Sequence, residues 1–249
     1  MLDVKLYEEI FTRKSIRKYE ASPLPETVLA EIKDFALQAK PLFPELPYEF
    51  VFLNRDLVKS LLAIKAPHYI CFYSQKDAAG RLNAGFLMQQ LNLYLSLCGL
   101  GSCWLGAAKP NNEVPLKKGD KDFIIMMAFG QPAEPSRRTS AAEFKRAPLS
   151  AMTNLPEQQE LLEPVRLAPS AMNSQPWFFS GTPDSLLLSR KKLSILEEPL
   201  MGPKNQVDLG IGLCHLVLSS EHLNKSAEIS PADASSQNGY IGEAQILLK

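Results

Sequence analysis

Two short stretches hold the side chains best suited to chemistry. Arg13-Lys14-Ser15-Ile16-Arg17-Lys18-Tyr19 packs four cations into seven residues, and Arg13, Ser15 and Arg17 fall at i, i+2 and i+4. In extended chain those three point the same way. Two guanidinium forks with a hydroxyl between them suit a phosphate monoester and its polyol chain, although a basic run of this kind also serves as a solvated face. The second stretch runs from Leu167 to Phe179, with Ser170, Ala171, Asn173, Ser174 and Gln175 between Pro169 and Pro176. Short arms bearing donors and acceptors suit the polar edge of a flat heterocycle. The same residue types also fill ordinary helix-to-strand turns.

The surrounding pattern says how these stretches are held. Each proline disfavours helix at the residue before it, so the helix ahead of Pro169 stops there and a strand starts near Trp177. Leu6 to Phe11 reads as the end of a short helix. Pro25 to Lys40 reads as a helix with Val28, Leu29, Ile32, Phe35 and Ala36 on one side. A helix over Leu57–Ile64 and a strand over Tyr69–Tyr73 are expected next, then a central buried helix over Ala84–Leu97. The glycines from Gly99 to Gly106 have the wrong spacing for a dinucleotide-binding loop and follow a helix where that loop needs a strand. Gly99 and Gly101 are expected to cap the helix in left-handed conformation. Phe123–Phe129 is a buried strand, and a polar linker with clustered cations covers 133–155.

After residue 155 the order recurs: helix, proline-bearing loop, two strands, apolar helix, strand. Ala168-Pro169 answers Lys40-Pro41, Gly210 answers Gly85, and Tyr240–Leu248 answers the strand at Phe123. The expectation is an α+β fold of two pseudo-repeated halves, 1–132 and 156–249. The cationic motif lies only in the first and the intact polar loop only in the second, so each half alone is an incomplete site.

Ala168-Pro169-Ser170, followed by Asn173, Gln175, Pro176 and Trp177, resembles the signature loop of the FMN-dependent nitroreductase family, and the single-chain fused subgroup fits the two halves. Arg13-x-Ser15-x-Arg17, an aromatic, and then Ser22-Pro23-Leu24-Pro25 is similar to that family's opening motif. The resemblance implies a nitroreductase-like fold with the halves packed as an intramolecular dimer. It implies that Arg13, Lys14, Ser15 and Arg17 hold the FMN phosphate and ribityl chain, with Arg17 reaching the flavin's pyrimidine side. Backbone at Leu105, Gly106 and Ala107 would approach the flavin N5, and Arg137 and Arg138 would return to the phosphate. Pro169, Ser170, Ala171, Asn173 and Gln175 would complete the ring's contacts from the opposite half. The implied activity takes hydride from NADH or NADPH, through FMN, to a nitroaromatic, quinone or similar small acceptor. The alternative is a non-catalytic flavin-binding or interaction module, because the first half's loop at Lys40–Phe52 has lost its Ser, Asn and Gln. No side chain is nominated as a general acid, which leaves solvent to supply protons.

Composition bounds the rest. Lys plus Arg and Asp plus Glu are 27 each in 249 residues, so no global field draws nucleic acid or an acidic membrane. Met1-Leu2-Asp3-Val4-Lys5 lacks the apolar core of a signal peptide, and Phe123–Phe129 is too short to span a bilayer. Cys71, Cys98, Cys103 and Cys214 lack metal spacing and read as reduced, mostly buried thiols of a cytoplasmic protein. No metal site is expected, and the chain is expected to act as a monomer.

Overall fold

The computed structural model describes residues 4–60, 64–233, 236–237 and 239–249. The chain opens with α1 (Val4–Glu9) and α2 (Glu26–Gln38), which buries Leu29, Ile32 and Ala36. Pro25 stands at the N-cap of α2, where a missing backbone donor costs nothing. Then come β1 (Tyr48–Asn54), β2 (Val58–Ser60), β3 (His68–Ser74), α3 (Ala78–Leu97), β4 (Gly101–Leu105), β5 (Ala108–Pro110), β6 (Lys117–Lys118) and β7 (Lys121–Gly130). The first sheet has the antiparallel order β1-β3-β7-β4, with β6 also on β7.

The helix expected over Leu57–Ile64 is corrected. Arg55–Leu57 is a single 3-10 turn, and β2 follows it, paired antiparallel with β5 from Val58↔Pro110 to Ser60↔Ala108. A waiting strand partner overrides a short apolar helical pattern; residues 61–63 lie outside the described ones. Gly99 is left-handed as expected, at φ 74°, but Gly101 is not. Gly101 begins β4 because Ile16 lies against it: a Cβ there would stand 2.8 Å from the Ile16 Cβ. The bare glycine lets the cationic stretch lie flat on the sheet.

The second half contributes α4 (Gln159–Arg166), β8 (Trp177–Thr182), β9 (Ser185–Lys191), α5 (Glu198–His222), β10 (Ala227–Pro231), β11 (Ser236–Gln237) and β12 (Tyr240–Leu248). Its sheet has the order β8-β9-β12-β10, the same first-second-fourth-third arrangement as β1-β3-β7-β4. α3 and α5 occupy the same place in the two orders, between the second and third strands. Both are buried along most of their length and pack together across the middle of the molecule. One hydrophobic core spans both halves, from Leu6 and Phe72 to Leu188 and Ile246. The stretch 133–155 is more than a solvated linker, since Phe144, Met152 and Leu155 are buried in that core. Among the described residues no helix is long and apolar enough to cross a membrane.

Candidate cofactor site

The stretch after α1 runs extended along β4. Ile16 donates its N–H to the Ser102 carbonyl at 2.9 Å, and Ser15 bridges Ser102 in parallel. Ile16 is fully buried on one side, and Arg13, Ser15 and Arg17 all line a cavity of about 400 Å³ on the other. The alternation read from the sequence therefore holds. Arg13 donates from Nη2 to the Ser15 Oγ at 3.1 Å, while its Nε and Nη1 are buried with no protein partner. A donor left buried and unmatched costs free energy until an acceptor arrives.

Cations gather round that cavity. Lys14, Arg138, Lys145 and Arg146 join Arg13 and Arg17, and Glu143 is the one acid on the wall. Glu143 is exposed and already accepts from Thr139 and Ser140. Arg138 lies over the Phe144 ring at 4.1 Å and donates to the Arg13 carbonyl. Burial, and then the charges of Arg138 and Arg146, push the pKa of Arg13 down to about 9. A cluster that strains its own protonation in this way favours a dianion.

The second wall comes from the polar loop. α4 ends before Leu167, and Pro169 turns the chain across the face of β4. Pro169, Ser170, Ala171 and Met172 line a more apolar cavity of about 370 Å³ opposite Ser15, Arg17, Cys103, Trp104, Gly106, Ala107 and Ile125. Pro169, Ser170, Met172, Ser15 and Arg17 line both cavities, so the two are one groove with a cationic end and a flat apolar end. The loop is rigidly tied. Met172, Asn173 and Gln175 all have positive φ (53°, 59° and 49°), a strained state that needs support from outside. Arg146 supplies much of it, donating to the carbonyls of Phe144, Leu167 and Ala168 and to Asn173 Oδ1 at 2.5 Å.

Four expected contacts are corrected. Asn173 lines only the cationic end, where its Oδ1 accepts from Arg146 and its Nδ2 donates to the Lys145 carbonyl. Arg137 turns away from the groove to pair with the buried Glu9 at 2.5 Å, and it also donates to the Ser96 carbonyl. Leu105 is fully buried and faces a smaller neighbouring cavity of about 200 Å³. Gln175 touches neither end of the groove; its Oε1 accepts from the Ala147 N–H and its Nε2 donates to the Asn173 carbonyl, tying the loop. At Gly106 a Cβ would meet nothing closer than Lys204 Cε at 3.8 Å, so the protein itself does not require glycine there.

Sequence reading missed Arg146, whose signal was drowned among neighbouring cations. It also missed Lys204, Asp208 and Ile211, which α5 brings to the apolar end. Only the crossing of α5 under the loop puts those three in the wall, and no local spacing announces it.

The family model described as "Putative TM nitroreductase" matches residues 5–220. The chain belongs to that nitroreductase family. Its overall architecture is shared with a putative nitroreductase from Thermotoga maritima, with 24% identity, a TM-score of 0.65, and coverage of 98% of this chain and 92% of that one. A nitroreductase solved in complex with FMN from Desulfovibrio desulfuricans is similar over 59% of this chain and 93% of its own, at 18% identity and a TM-score of 0.44. An FMN-dependent nitroreductase from Clostridium difficile covers 57% of this chain and 93% of its own, at 17% identity and a TM-score of 0.42. No curated protein matches the chain.

Proposed function

We propose that this nitroreductase-family protein is an FMN-dependent oxidoreductase that takes hydride from NADH or NADPH and reduces nitroaromatics, quinones or similar small acceptors. The observation that carries the reading is Arg13, buried at the cationic end of the groove with two unmatched donors. A phosphate monoester supplies the acceptors that Arg13 lacks, and the flat apolar end beyond it suits a fused ring. When bound, the flavin supplies the hydride chemistry.

The residues divide the work by position. Arg13, with Lys14, Arg138 and Lys145, would neutralise the phosphate, and Ser15 between Arg13 and Arg17 would offer its hydroxyl to the connecting polyol. Arg17 reaches both ends and would place positive charge beside the ring, favouring the anionic reduced form. Pro169, Ser170 and Met172 close the groove from the second half and limit water at the reacting face. The two halves thus play the parts of two subunits, with one groove in one chain.

The test is direct. Purified protein should be yellow, its flavin released on denaturation and identified as FMN, and it should oxidise NADH or NADPH when a quinone or nitroaromatic is added. Protein that is colourless and cannot be reconstituted with FMN overturns the proposal. A flavin-bound protein with no turnover leaves the binding half of the reading and removes the catalytic half.

A further inference from the structure

The two halves treat their proline-bearing loops alike, with one chemical difference. In the first half Asn83, two residues before Gly85 on α3, accepts the N–H groups of Leu42 and Phe43 on its Oδ1 at 2.8 and 3.3 Å. In the second half Asp208, two residues before Gly210 on α5, accepts the Ala171 N–H at 3.0 Å from each oxygen. The structural task of holding the loop is thus done by an amide in the first half, where Asn83 lies outside the small cavity beside the loop, and in the second half by an acid that lines the groove. Asp208 lines the apolar end of the groove, 4% exposed, and Ala171 N–H is its one hydrogen-bond partner among the described residues. An amide would suffice for the loop, so the acid asks for another explanation.

We infer that Asp208 delivers the proton that accompanies reduction of the acceptor. The inference rests on the proposed oxidoreductase reading. For a quinone the balance is one hydride equivalent from the dihydronicotinamide donor, passed through the flavin, and one proton from Asp208. The carboxyl O–H bond breaks as the acceptor oxygen takes the proton, the product is a hydroquinone, and water at the groove mouth reprotonates the carboxylate. The environment agrees: burial raises the carboxyl's pKa well above the ordinary range, against the opposing pull of the Ala171 N–H and Lys204. Facing the same cavity are Arg17 from the N-terminal stretch, the Cys103 thiol from β4 and Lys204 from α5 itself; residues 169–172 bring no charge. Arg17 and Lys204 can steady the carboxylate left after transfer, and Asp208 is the one buried carboxyl on the wall.

The decisive variant is Asp208→Asn, because Asn83 shows that an amide holds such a loop. The expected result is FMN affinity within about twofold of wild type and kcat for a quinone lowered at least tenfold, since a positioned acid contributes roughly 10²–10⁴. The solvent deuterium isotope effect on kcat should disappear, together with the alkaline fall of the rate profile. Unchanged kcat and an unchanged pH profile overturn the proposal and leave Asp208 as a loop tie alone. A second measurement needs neither turnover nor the variant. Flavin-free wild type labelled with carboxyl-13C aspartate should keep one carboxyl resonance in the protonated range at pH 7, and Asp208 is the only buried aspartate among the described residues. A full set of ionised aspartates at pH 7 overturns the proposal even if Asp208→Asn fails to fold or the protein proves not to be a flavoenzyme.

Discussion

Gly85 and Gly210 lie against each other where α3 crosses α5, and a Cβ built on Gly85 would stand 2.9 Å from the Gly210 Cα. That Cβ would also overlap the Val207 carbonyl, and one on Gly210 would overlap the Leu82 carbonyl. The obstacles are backbone atoms in two buried helices, so neither can swing aside as a side chain would. Gly85→Ala and Gly210→Ala should each destabilise the protein by at least about 2 kcal/mol. Chemical denaturation of the single variants checks this, and Gly212→Ala serves as the control. A Cβ at Gly212 meets only side-chain atoms, 3.4 Å away at the nearest.

Arg13 should show opposite effects on stability and on binding. Without a ligand its buried charge faces Arg138 and Arg146 with two donors unmatched. An apolar side chain of similar reach is often neutral or stabilising by about 1–4 kcal/mol at such a place. Arg13→Met should therefore raise the melting temperature of flavin-free protein while weakening FMN at least about tenfold, the loss of a charge-assisted contact. Thermal unfolding with and without FMN, and fluorescence titration of the flavin, read the two effects separately.

His215 sets an acid limit on the fold. Its Nδ1–H donates to the Pro164 carbonyl at 2.8 Å, and its bare Nε2 accepts from Gln89 at 2.9 Å. Complete burial lowers its pKa from 6.5 to about 3, so the folded state keeps the ring neutral while the unfolded chain protonates it. The stability it preserves is fully present above pH 6.5 and falls as the pH drops toward 3, by up to about 1.4 kcal/mol per unit. Asp208 pulls the other way over part of that range, because its raised pKa favours the folded state in acid. The comparison to make is therefore wild type against His215→Gln. Gln90, at the same offset from its glycine on α3, already donates to the Lys40 carbonyl at 2.8 Å. The variant should lose the acid slope, measured as denaturant midpoints from pH 7 to 4.

Gln175 predicts an effect at a distance. Its removal leaves the Ala147 N–H without its side-chain acceptor and frees a loop held at positive φ. Gln175→Ala should cost about 1–3 kcal/mol and weaken FMN severalfold, although the side chain touches neither end of the groove. Denaturation and flavin titration on one preparation check both.

Local chemistry was legible in the sequence where it depended on local spacing. Arg13, Ser15 and Arg17 point one way because extended chain alternates, and Pro169 ends a helix because it must. The recurrence of elements showed through Gly85 and Gly210, which turn out to touch. What stayed hidden depended on contacts between distant segments. Arg137 and Arg138 are adjacent, yet one reaches Glu9 and the other stacks on Phe144 at the groove, a choice made by alternation against Arg13. The strand at Val58–Ser60 needed β5 to declare itself. Asp208 reads in sequence as one acid on an apolar helix, and only the loop lying over it gives it a role.

The groove's two walls, Arg13–Arg17 on one side and Pro169–Met172 on the other, hang from a single backbone. A site assembled from separate molecules comes apart on dilution, at a concentration set by their affinity for each other. Here the opposing wall is tethered, its local concentration fixed by about 150 residues of folded chain. Occupancy should therefore depend on how much ligand is present and be indifferent to how scarce the protein itself becomes.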